Sequence, residues 1–459
     1  MTGRRAAVLT PEARERLAQA VGRAEAGTSG EIVVMVSRRA GAYRSIVLLT
    51  ALVAALVLPW PLIALTAWSA ASILLAQAAL VAAILAASQN ERLRMALVPR
   101  RLRRARARLR LADGSALAYE ALLIATGAEA RPWPAETGGG LAGIFTLRGR
   151  DDAAALRDAL LARPRQVLIV GGGLIGCEAA SCLRDLGLPV TLVDPNAAPL
   201  ARGLGTFVGS VIAERLRESG ATFRPGTMVR AFEGDAAGHV ALARLADGST
   251  VETNLVIAAL GATRATGWLR GAGLRADAGG VTCDAACRVL DADGVPCPDI
   301  YAAGDVARWP IPLYGNRLIA VEHWGNAVEQ AAHAARNMLA GPGEQRPYGH
   351  LPAFWSSQFG INIKLVGLPD GADSVAVVQG SRASRRFLAV YGRAGRSIAA
   401  VSFDQARWLP AYAEAITAGD PFPPITDATD RPRVEMAAPG FPPPHRAAPA
   451  RPSAETVHV

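Results

Sequence analysis

Apolar and polar positions follow several distinct rhythms along this 459-residue chain, and each predicts a different kind of element. The opening is charged. Thr10-Pro11-Glu12 offers a capping hydroxyl, a proline for the first turn and an acid near the positive dipole end. A helix is predicted from there to about Ala26, with Gly27 as its stop. A short β-rich run, Glu31 to Val36, comes next, and then Ile46 to Asn90 passes without one charged residue. A membrane span needs roughly 20 apolar residues. Two are therefore expected, near Ile46–Leu65 and Ser69–Ser88, around a tight turn at Thr66–Trp68. Arg38, Arg39 and Arg44 flank the entry, while Arg92, Arg94, Arg100, Arg101, Arg103 and Arg104 flank the exit. Arginine on both sides predicts an inner-membrane hairpin with both termini cytoplasmic.

From about Leu109 the pattern becomes that of an α/β enzyme, with short apolar strands, glycine turns and alanine-rich helices. After about Asp420 it changes again. Pro421, Pro423, Pro424, Pro432, Pro439 and the Pro442–Pro444 run predict a disordered tail over 421–459.

Composition adds two points. The hydrophobic fraction is 51% and the net charge +10, with Lys364 the only lysine. A basic chain suits an acidic protein partner, an anionic membrane surface or nucleic acid. No nucleic-acid motif is present, and the arginines cluster beside the apolar stretch, which favours the membrane. Five cysteines at irregular spacing (Cys177, Cys182, Cys283, Cys287 and Cys297) argue against a disulfide framework and match no metal-ligand pattern.

The strongest chemical signal begins at Gln166. Val167 to Val170 is a continuous apolar run, suited to a strand buried on both faces. It leads into Gly171, Gly173 and Gly176 and then into an alanine-rich helix. The first glycine permits a tight turn, the second lets backbone approach a pyrophosphate, and the third lets helix pack on strand. Free amides at the helix start meet phosphate charge. A second strand, Val190 to Val193, ends in Asp194, where an acid binds the adenosine ribose hydroxyls. A carboxylate there repels a ribose phosphate, so NADH is expected rather than NADPH.

Three further segments carry a resemblance. Tyr119 to Gly127 ends in Ala125-Thr126-Gly127, Tyr301-Ala302-Ala303-Gly304-Asp305 ends another strand, and Phe354-Trp355-Ser356 lies in a later aromatic segment. In this order they resemble the FAD-dependent pyridine nucleotide-disulfide oxidoreductases, specifically the ferredoxin and rubredoxin reductase branch, over residues 108–420. That resemblance implies FAD as second cofactor, with Thr126, Gly127 and Gly261 in cofactor-contacting loops. It implies Asp305 as acceptor for the flavin ribityl chain, Glu322 and Trp324 near the flavin and nicotinamide rings, and Trp355 against the flavin from a C-terminal domain. Glu178 looks like the family's glutamate that pairs with a lysine near the flavin; an acid favoured by the helix dipole is an equal reading. Cys177 and Cys182, about 140° apart around a helix axis, read as packing residues rather than a redox pair. The opening residues 10–107, through Thr28-Ser29-Gly30-Glu31-Ile32 and the arginine-flanked hairpin, resemble the TPM-type domain family of bacterial membrane proteins and the thylakoid lumen.

The expected fold is therefore α/β: a Rossmann-type NAD domain (151–264), a truncated FAD domain (108–150 and 265–345) and an α+β C-terminal reductase domain (346–420). A TPM-like segment (1–45), a transmembrane hairpin (46–90) and a basic linker (91–107) precede them. No strand, glycine fingerprint and helix for the flavin's ADP half stands before Leu109. FAD binding is thus expected to be weak or absent in the isolated chain, with a second chain as one source of the missing unit. The expected activity carries electrons from NADH through FAD to a small acidic iron–sulfur protein, ferredoxin or rubredoxin. Two alternatives stand beside it: an NAD(H)-binding membrane module without turnover, and a fusion of unrelated halves without function.

Overall fold

The structure is a computed structural model that describes residues 55–57, 59–66, 68–89, 108–110, 116–119, 121–341, 343–424, 430 and 434–443. The predicted opening helix, the Glu31–Val36 run, the TPM-like motif and the arginine-rich linker 91–107 lie outside the described residues. Two helices of the apolar stretch lie within them, α1 (Pro59–Leu65) and α2 (Ala70–Gln89). The expected membrane hairpin is not found: among the described residues no helix is long and apolar enough to cross a membrane. Ser72 and Gln77 interrupt the apolar run of α2, and the Gln77 amide donates to the Ala55 carbonyl at 2.8 Å. The inner-membrane placement inferred from hydropathy is corrected accordingly.

The centre of the molecule is a five-stranded parallel sheet in the order 144–145, 255–258, 167–170, 190–194, 222–225. Its middle strand, Val167–Val170, is buried on both faces, as a parallel strand covered on both sides must be. Val167 and Ile169 face one core and Leu168 and Val170 the other. Helices α3 (Arg150–Leu161), α4 (Leu174–Asp185) and α5 (Ala201–Glu218) belong to this unit. A three-stranded antiparallel sheet over 229–252 packs on the opposite face through Val229, Phe232 and Val240.

The chain crosses to its second lobe by two antiparallel segments, Ala128–Ala130 against Ala262–Arg264. That lobe holds a three-stranded sheet, order 288–290, 296–302, 122–124, a four-stranded one over 276–320, and helix α6 (Trp324–Leu339). Among the described residues the first of these sheets ends at Leu122–Ile124. The third lobe is a six-stranded antiparallel sheet backed by α7 (Leu409–Ala418), whose Leu409, Tyr412 and Ile416 fill its outer core. Its last edge strand, Glu435–Ala437, pairs with Ser374–Ser381 and falls inside the stretch predicted to be a disordered tail. Local composition there favours disorder, but an open sheet edge supplies partners for its backbone.

Candidate active site

The site is built from the glycine turn upward. Gly171 has φ +109, and a Cβ there would strike the Ala259 carbonyl where two parallel strands end side by side. A Cβ on Gly176 would strike the Gly171 carbonyl, so only glycine lets α4 start this close above the turn. Gly173 differs from both. It caps α4 with ordinary extended backbone (φ −75, ψ −173) and no side-chain cap, and a Cβ there would meet nothing within 4 Å. The orphan amides of the helix start thus face open space, the arrangement that receives an anion.

Asp194 ends the next strand and is buried. One carboxylate oxygen accepts the Gly172 amide at 2.6 Å; the other accepts the Asn196 backbone and side-chain amides, both at 2.7 Å. The acid therefore locks the turn as well as lining the cavity. Leu200 completes the wall in a left-handed conformation (φ 58), with its amide bonded to the Gly172 carbonyl at 2.7 Å. Together these residues form one side of a cavity of about 360 Å³. Arg202, Arg317, His323 and Phe354 line other parts of it, and Arg317 is ion-paired to Asp370 at 2.8 Å. The His323 ring lies 4.9 Å from Phe354, and its buried Nδ1 has no hydrogen-bond partner. Burial lowers its pKa to about 4, partly opposed by the charge of Asp305.

The other predicted residues fall into two groups. Trp324 and Trp355 are brought together edge to face, ring centroids 5.9 Å apart, and both are exposed, at 72% and 58%. Such a large open aromatic surface is what a planar ligand or a partner would cover. Glu178 does not meet a lysine; the Ser356 hydroxyl donates to its carboxylate from the C-terminal sheet. Glu322 is held by Arg264 at 2.6 Å, and Asp305 is ion-paired to Arg148, which also donates to the Ala128 carbonyl at 3.1 Å. Thr126, Gly127 and Gly261 sit at the crossover between lobes. There the Thr126 hydroxyl donates to the Ala265 carbonyl at 2.9 Å, and the Gly127 and Gly261 carbonyls accept the amides of Ala265 and Arg131, both at 3.0 Å.

Arg148, Arg264 and Asn196 are not singled out by the sequence, and Ser356 and His323 enter only as members of motif segments, without a role of their own. Only Asn196 carried a local signal, since an amide two residues after an aspartate commonly closes a turn. Cys177 is buried as a packing residue, whereas Cys182, expected to pack as well, is exposed; all five cysteines are free. Burial raises the thiols of Cys177, Cys283 and Cys287, the last to about 12.

A glycine turn with its acid, a second lobe reached by a two-segment crossover and a covering antiparallel sheet define a nucleotide-dependent oxidoreductase. Residues 49–336 match the pyridine nucleotide-disulphide oxidoreductase family and residues 353–435 its reductase C-terminal domain; the chain belongs to that family. The match starts well before the boundary expected near residue 108. The chain is 36% identical over 313 residues to the ferredoxin–NAD(+) reductase component of the anthranilate 1,2-dioxygenase system of Burkholderia cepacia, covering 68% of this chain and 73% of that one. It is 39% identical over 267 residues to the corresponding biphenyl dioxygenase component of Paraburkholderia xenovorans, covering 58% and 61%. Among solved structures, the covalent putidaredoxin reductase–putidaredoxin complex superposes with a TM-score of 0.63 at 32% identity, over 69% of this chain and 74% of that one. A ferredoxin reductase from Rhodopseudomonas palustris gives 0.62 at 30%, over 68% and 74%. The chain thus spans about three fifths to three quarters of these relatives. Membership implies NADH and FAD as cofactors. The open space at Gly173 and the buried Asp194 fit the first. For the second, the described residues offer the exposed Trp324–Trp355 pair and Asp305 but no second glycine turn at a helix start.

Proposed function

We propose that this chain is an NADH-dependent reductase that passes electrons through FAD to a small acidic iron–sulfur protein of the ferredoxin type. The observation that carries the reading is the cavity with bare helix amides above Gly173 and a buried carboxylate at Asp194. When bound, NADH would supply a hydride and FAD the means of passing its two electrons on singly. The protein's part is to hold, orient and exclude water. Amides at the start of α4 bind the pyrophosphate, Asp194 accepts the adenosine ribose hydroxyls, and Trp324 and Trp355 cover the ring system. Glu322 stays fixed by Arg264, and Glu178 ties α4 to the C-terminal sheet through Ser356. A net charge of +10 speeds encounter with an acidic partner.

The flavin is held weakly in this reading, because among the described residues no second glycine turn at a helix start offers its phosphates a helix terminus, which a second chain would have to provide. Each missing charge-assisted bond costs roughly 1.5–3 kcal/mol. One observation favours binding of NADH without turnover: Asp305, the ribityl acceptor, is already engaged by Arg148. Absorbance near the flavin bands and NADH-driven dye reduction in purified protein, before and after FAD addition, separate the two. Reduction restored by added FAD supports the reductase. A colourless protein that binds NADH and gains no activity from FAD supports the binding module.

A further inference from the structure

The match to the reductase C-terminal domain ends at residue 435, yet the chain continues in an ordered path to Pro443. After pairing with Ser374–Ser381, this segment leaves the sheet and runs onto α5 of the nucleotide domain. There α5 is broken: Gly205 has φ 74 and ψ 162, outside helical values. A helix restarted after such a break exposes its first amides as orphan donors. Two of them are taken by the tail, Thr206 N–H to the Gly440 carbonyl and Phe207 N–H to the Pro439 carbonyl, both at 3.2 Å.

The approach is close on both sides. A Cβ on Gly205 would strike the Pro439 carbonyl, and a Cβ on Gly440 would strike the Thr206 hydroxyl. Phe441 rests 6.4 Å from the ring of Tyr391, whose hydroxyl donates to the Leu204 carbonyl at 2.7 Å. In an unbroken helix the amides of Thr206 and Phe207 would bond the carbonyls of Arg202 and Gly203. The tail competes for those donors and so keeps the break open. The turn on the far side of the break, Ala201 to Leu204, lines the dinucleotide cavity.

We infer that residues 434–443 form a strap that positions the Ala201–Leu204 turn, Arg202 included, at the adenosine-phosphate end of the cavity. This rests on the reading of that cavity as the NADH site. Pro439, Gly440 and Phe441 are thus positioning residues, since none of them lines the cavity.

The test is ADP-ribose binding by calorimetry in the full chain, beside the melting temperature. Wild-type protein that does not bind ADP-ribose refutes the cavity assignment itself. If it binds, Gly440→Val should weaken ADP-ribose about tenfold or more, by loss of both strap bonds. Adding Thr206→Ala to Gly440→Asn removes the hydroxyl and seats a residue that tolerates positive φ, and should restore affinity to within about threefold. Phe441→Ala, which leaves the backbone contacts free of any clash, should weaken binding severalfold and decides the matter if Gly440→Val does not fold. Wild-type ADP-ribose affinity in Phe441→Ala, or in a folded Gly440→Val, overturns the strap.

Discussion

Gly173→Ala isolates ligand binding from folding. The added methyl meets no atom within 4 Å, and φ −75 with ψ −173 suits any residue, so the folded chain should lose only helix-capping preference, about 1 kcal/mol or less. The same methyl occupies the space through which a pyrophosphate reaches the helix amides. Losing one charge-assisted bond costs roughly 1.5 kcal/mol at the low end and two cost about 3, which is about tenfold to a hundredfold in affinity. Gly176→Ala makes the internal comparison. Its methyl lands on the Gly171 carbonyl, so it should lower stability by about 1–3 kcal/mol or more before any ligand is added. Calorimetric titration with NADH and a thermal melt followed by circular dichroism read the two effects separately. A Gly173→Ala protein that melts normally and binds NADH within twofold of wild type would refute the reasoning.

Asp194→Asn keeps the volume but removes the charge that excludes a ribose phosphate and sets an amide donor against either Gly172 or Asn196, so NADH should bind about tenfold more weakly or worse and the NADH-over-NADPH preference should narrow; parallel titrations with both nucleotides check it. His323 should make stability depend on pH. Its folded pKa of about 4 lies below the unfolded value of 6.5, so the unfolded chain takes up the proton first as pH falls. That contribution is intact above about pH 6.5 and is lost toward pH 4, on the order of 2 kcal/mol after allowing for its partial exposure. Urea melts of wild type and His323→Phe across this range should diverge, and parallel curves would contradict the assignment.

The nucleotide unit was legible because its signals are local. A strand buried on both faces must be apolar throughout, and the three glycines and terminal acid follow within one βαβ unit. The spacing alone also divides the glycines by role, and the structure has the same division: Gly171 and Gly176 are required by packing and Gly173 faces open space. The sequence names Asp305 and Glu322 as candidates but not their ion-pair partners Arg148 and Arg264, since an arginine far off in sequence gives no sign of where its guanidinium goes. The membrane hairpin misled because hydropathy counts apolar residues without seeing polar side chains that find partners, as Gln77 does at the Ala55 carbonyl. The strand at Glu435–Ala437 was hidden in a proline-rich stretch, because its partner is an edge some sixty residues earlier.

The joint between the nucleotide domain and the C-terminal sheet is fastened at several separate points. Ser356 bonds Glu178, the Phe359 amide donates to the Ser181 hydroxyl at 2.8 Å, Arg215 reaches the Phe359 carbonyl at 2.8 Å, and Arg382 reaches Ser210 at 2.6 Å. A hinge opening there would have to break all four at once. Separating the nucleotide domain from the C-terminal sheet would therefore cost several hydrogen bonds together, each worth about 1 kcal/mol net, so no single substitution frees the joint.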